Sequence, residues 1–163
     1  MKKALSACLF SAALLFPLAA SAQAPLVRFD GGIGVIPVSS GQGTAPTATI
    51  VNRNIVRGVQ PPGQIWVISR LTADIKTDGR ISVDGRGLLL GGGNNIGTNA
   101  NQSVRARLLC DTASHDSGLV ALEANGDFRI DDLLTPVPPI PCTSPVLLII
   151  NPAGAWFAAG IPK

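Results

Sequence analysis

Two stretches of this chain alternate apolar and polar residues on either side of an Asp-Gly or Asn-Gly pair. In the first, Ala73, Asp74, Ile75 and Lys76 lead into Thr77-Asp78-Gly79, and Arg80, Ile81, Ser82, Val83 and Asp84 lead out. A two-residue loop would set Ile75 opposite Ser82 and mix apolar with polar side chains. A three-residue loop from Thr77 to Gly79 sets Ile75 opposite Ile81 and Ala73 opposite Val83, which gathers the apolar side chains on one face. A slip of one residue would turn that whole set to the wrong side. The spacing therefore predicts a type I turn with a bulge and a left-handed Gly79. At Ala124-Asn125-Gly126 the same rule pairs Leu122 with Phe128 and Val120 with Ile130. The likeness of the two stretches reflects the few residue types that suit such hairpins rather than an internal duplication.

The rest of the chain has the same character. Glu123 is its one glutamate, and no stretch carries apolar residues at helical spacing with caps. Short β-branched runs recur between turn residues instead. The expected strands are Leu26–Asp30, turned by Gly31-Gly32 into Ile33–Val38; Thr47–Val59 with a bend at Asn52–Asn54; and a long Gln64–Thr77. Ser103–Cys110 follows, then the hairpin within 118–132. Val146–Ile150 and Ala155–Ala159 form a hairpin buried on both faces, with Trp156 as an anchor. Leu88–Gln102, with Gly91-Gly92-Gly93 and asparagines that include Asn94, Asn95 and Asn99, reads as an exposed loop. The predicted fold is all-β: an antiparallel β-sandwich of about eight to ten strands, in one domain over 23–163.

Residues 1–22 read as a secretory signal peptide, with Lys2 and Lys3 before an apolar run and Ala20-Ser21-Ala22 as the small-residue cleavage motif. The expected cut lies between Ala22 and Gln23. Leu5-Ser6-Ala7-Cys8 resembles a lipobox, but its apolar run follows the cysteine instead of preceding it. Removing Lys2 and Lys3 from 13 basic residues leaves 11 against 10 acidic ones, a formal +1. With no Lys/Arg cluster, nucleic-acid binding is not expected. No membrane span is expected in the mature chain either. The nine arginines are scattered, as on a solvated sheet face.

In an exported chain Cys110 and Cys142 are expected to form a disulfide. The return to Cys142 runs through Thr135-Pro136-Val137-Pro138-Pro139-Ile140-Pro141, whose four prolines exclude a helix and an inner strand.

Chemistry is harder to find. His115 is the only histidine, in Asp111-Thr112-Ala113-Ser114-His115-Asp116-Ser117. The residue types of a hydrolase triad are present, but triad members normally converge from separate elements. No spacing matches a metal motif. Gly31-Gly32-Ile33-Gly34 and Gly91-Gly92-Gly93 are followed by no Gly-Lys-Ser/Thr and no helix. The absence of tyrosine argues against a base- or sugar-stacking surface. No catalytic, metal or cofactor residue is expected. The predicted function is a non-catalytic binding or structural module of the bacterial envelope, periplasmic or secreted, whose partner would be another envelope protein. Two alternatives stand beside it: a subunit of a surface assembly that accepts or donates a strand at Val146–Ile150 or near Val27, and a small hydrolase using His115.

Overall fold

The computed structural model describes residues 23–40 and 51–163. The proposed signal peptide, Ala22 of its cleavage site and the first part of Thr47–Val59 lie outside them. The described residues form thirteen strands and no helix. In chain order these are β1 (Pro25–Gly34), β2 (Val38–Ser40), β3 (Val51–Arg53), β4 (Trp66–Val67), β5 (Arg70–Lys76), β6 (Arg80–Arg86), β7 (Leu89–Leu90), β8 (Ser103–Cys110), β9 (Ala113–Asp116), β10 (Val120–Ala121), β11 (Phe128–Leu133), β12 (Val146–Ile150) and β13 (Trp156–Pro162).

Nine strands share one curled antiparallel sheet in the order β10-β8-β12-β13-β1-β5-β6-β11, with β9 also on β8. The expectation was two packed sheets. Here one continuous sheet brings its own ends together, because β9 and β10 lie end to end along β8 and meet β11 across a seam. At that seam Asp116 and Thr135 exchange backbone bonds of 3.0 and 2.9 Å, and Glu123 N–H donates to Asp127 O at 2.9 Å. Between β9 and β10 the Ser117 hydroxyl accepts from Ala106 N–H at 3.0 Å, standing in for a ladder carbonyl.

The β5–β6 hairpin has the predicted register, Ala73 opposite Val83 and Ile75 opposite Ile81, and Gly79 has φ +88°. That register carries across the sheet. Phe29, Ala73, Val83 and Ile130 form one inward row, and Leu71, Gly85 and Phe128 form the next. A Cβ at Gly85 would collide with the Phe128 ring, so the glycine makes room for the aromatic. From the other side Leu147, Leu108, Ile149 and Ala106 point inward, each wholly buried. Trp66 stacks on Phe157 with ring centroids 4.0 Å apart.

Four expectations need correction. Gly31-Gly32 does not turn the chain. It forms a bulge within a continuous β1, with Gly31 at φ +110° and Gly32 packed so closely that a Cβ would lie 2.7 Å from Leu71 Cβ. The run Gln64–Thr77 breaks after Val67, where Trp66 and Val67 leave to pair with β7. Leu88 and Leu90 are buried, so the glycine-rich loop begins only after them. The turn at Gly126 forms, with φ +80°, but its arms diverge. Val120 pairs with Val104, Leu122 N–H donates to Gln102 O, and Phe128 joins β6, so the expected Leu122–Phe128 and Val120–Ile130 pairs do not form. Local alternation sets the face a residue occupies, but the other strands compete for its backbone.

Candidate functional site

The first place to look is the loop around His115. Cys110 and Cys142 are joined by a disulfide, with Cα atoms 4.9 Å apart. His115 is opposite Leu108, on the inner face of the sheet, and is 3 % exposed. Its Nδ1 lies 2.7 Å from Pro136 O, and its Nε2 is buried with no hydrogen-bond partner. The neighbouring polar residues are occupied elsewhere. Asp116 holds Arg107 through two bonds of 2.7 and 2.6 Å, and the Ser117 hydroxyl serves the β8 backbone. Among the described residues no serine, histidine and carboxylate converge here as a triad requires. The residues line the inside and the seam of the fold.

The second place is the outer face of β1, β5, β6 and β11. Reading outward rows from the register gives Arg28, Asp74, Ser82 and Asp131, then Asp30, Thr72, Asp84 and Arg129. Opposite charges alternate along and across the strands, and cross-strand neighbours at this spacing interact. Arg28 bonds Asp74 at 3.0 Å, and Arg86 reaches both Asp84 and Asp127 at 2.7 and 2.9 Å. Arg129 bonds Asp131 at 2.7 Å. These partners hold the carboxylates below their ordinary range. For Asp84 the main cause is Arg86; for Asp127 it is Arg86 and then Gly87 N–H; for Asp131 it is the Ser82 hydroxyl and then Arg129. At Asp74, burial works to raise the value, but the bonds to Lys76 and Arg28 outweigh it. A hollow of about 730 Å³ opens on this side. Its charges are already satisfied: Arg80 by Asp78, Asp74 by Lys76, and Asp132 by Gly118 N–H.

The third place is different. A groove of about 670 Å³ runs along the outer face of β8. One wall is the turn Pro152–Ala155 between β12 and β13. The other is the segment after β3, which crosses the sheet as a strap. Arg57-Gly58 turns that strap tightly, with φ 47° and 82° and with Val56 and Val59 bonded to each other on either side. Three arginines line the groove and no acidic residue does. Arg107 is neutralised by Asp116, whose bonds raise the guanidinium above its ordinary value. Among the described residues Arg57 has only a backbone partner, its Nη1 donating to Asp111 O at 2.9 Å. Arg105 reaches Pro152 O at 3.5 Å, and its Nε is buried with no partner. Among the described residues neither Arg57 nor Arg105 has a carboxylate within ion-pair distance.

No local sequence signal marks this site. Arg105 and Arg107 alternate with buried residues, as on any solvated strand, and nothing local brings Arg57 to them. The strap's anchorage on Trp156 does that.

Comparison with family models, with curated proteins and with solved structures finds no match.

Proposed function

We propose that the chain works as an exported, non-catalytic binding module of the bacterial envelope. The observation that carries this reading is the contrast between its polar sites. The one histidine cluster is used up inside the fold, whereas the β8 groove presents unbalanced charge in a concave surface of about 670 Å³. The disulfide suits an oxidising compartment. The signal-like segment at 1–22 supplies the route.

The surface-assembly alternative is less well supported. Val146–Ile150 is β12, paired on one edge with β8 and on the other with β13, and the strand near Val27 is β1, paired with β13 and β5. Neither offers the open edge that strand exchange needs.

The test is expression of the full chain in a bacterium with a periplasm, followed by fractionation, intact-mass measurement and crosslinking in whole cells. The expected product starts at Gln23, has lost two hydrogens to the disulfide, and crosslinks to a distinct envelope protein. A cytoplasmic product with free thiols at Cys110 and Cys142, or an exported one that crosslinks to nothing, overturns the reading.

A further inference from the structure

The β8 groove contains enough to name its ligand. Its charge comes first. Arg57, Arg105 and Arg107 contribute three positive charges, and Asp116 cancels one. Two remain, so the complementary ligand carries two negative charges. The position of those charges comes next. The Arg57 guanidinium is held at the carbonyl of Asp111, just past the end of β8, while Arg105 reaches toward Pro152 at the other end. Five strand steps separate Arg105 from Cys110, the last residue of β8, roughly 16 Å at about 3.3 Å per residue. One phosphate or sulfate ion cannot touch both ends. An extended chain with an acid group near each end can.

The lining between the ends decides what kind of chain. It consists of Val59, Leu109, Ala155, Thr112 and Ser114, and no aromatic ring is among the groove residues. A polysaccharide would find no stacking platform there. A peptide strand with small apolar or hydroxyl side chains would fit against methyl groups and hydroxyls. Arginine also pairs with carboxylates through two parallel bonds, which fixes the orientation of an acidic side chain.

We infer that the β8 groove binds an extended acidic peptide segment of a partner protein. One carboxylate sits on Arg105, a second on Arg57, and about four small residues lie between. This rests on the binding-module reading above and specifies its partner.

The test uses the mature, oxidised protein and a fluorescein-labelled peptide with two glutamates separated by four alanine, valine or serine residues, followed by fluorescence anisotropy at low and at physiological salt. Saturable binding that weakens with salt is expected, and a peptide with both glutamates changed to glutamine should not bind. Arg57→Gln and Arg105→Gln should each weaken binding about tenfold, as loss of a charge-assisted bond does. Arg70→Gln, on the ion-paired face, should leave it unchanged. Thermal melts confirm that each variant is folded. The inference is overturned if the peptide does not bind, if the double variant R57Q/R105Q binds as well as the native protein, or if an acidic polysaccharide binds with the same arginine dependence and the peptide does not. The crosslinking experiment separates the two levels. An envelope partner that crosslinks equally to R57Q/R105Q sinks the groove and leaves the module reading standing. If there is neither peptide binding nor a crosslinked partner, both fall.

Discussion

The two sides of the curled sheet solve the same problem differently. On β1, β5, β6 and β11 the outward rows hold Asp, Arg, Thr and Ser, and the face is left to water with its charges paired along and across strands. On β12 and β13 the outward residues are Leu148, Ile150 and Trp156, and they are as buried as the inner ones. A sheet face this apolar needs a cover, and the strap after β3 supplies it. Gln60 O accepts from Trp156 N–H at 3.0 Å, Asn54 O accepts from the indole Nε1 at 2.9 Å, and Val59 is 8 % exposed. On the paired face every carboxylate of the two outward rows has a cation within ion-pair distance. The covered face ends in a groove at its border with β8, where cover and sheet do not meet and two arginines remain unmatched. A binding surface here arises at the edge of a cover, not on the flat ladder of charges.

The covered face depends most on Trp156. Trp156→Ala removes a buried ring and the bond to Asn54, and should cost about 3–5 kcal/mol by denaturant unfolding. A loss below about 1 kcal/mol would mean that the strap does not depend on this anchor. Next comes the disulfide, which closes 32 residues of separation just before β12. Its reduction should lower stability by about 3–4 kcal/mol in the chain-entropy model, without abolishing peptide binding. Gly58→Ala sharpens the role of the strap's turn. Nothing lies within 4 Å of a Cβ there, so the expected cost comes from φ +82° alone, about 1–2 kcal/mol. The paired face should respond least. Arg129→Gln should leave the melting temperature unchanged at neutral pH, since exposed pairs contribute little. Acid is the way to reveal that face. Asp74, Asp84, Asp127 and Asp131 have folded pKa values lowered below the unfolded ones, so their contribution is present above the unfolded value near 3.9 and is lost as pH falls below about 4. If the acid limb of a melting-temperature profile is the same in a variant lacking Arg86 and Arg129, the ladder is not its source.

Some of this was legible in the residues. The alternation around Asp78-Gly79 gave the register that organises the inner rows, because a strand has only two faces and one must be apolar. Ser103–Cys110, the hairpin with Trp156 and the cysteine pair were readable for equally local reasons. The groove was not. Arg105 and Arg107 look like ordinary solvated positions, and Arg57 is far away in the sequence. Leu88 and Leu90 were hidden by the glycines that follow them. The diverging arms at Gly126 were invisible because a turn determines its own geometry and not which neighbour the outgoing strands choose.

The sequence by itself determined the class of the fold, the face of most strand residues, the turn at Gly79 and the identity of the bridge, since each depends on backbone sterics or on side-chain period over a few residues. Only the tertiary structure decided that the strands form one sheet curled onto its own edge, that His115 points inward, and that a strap leaves two arginines facing a groove. Those outcomes depend on which distant backbone groups find each other, and no local pattern encodes that choice.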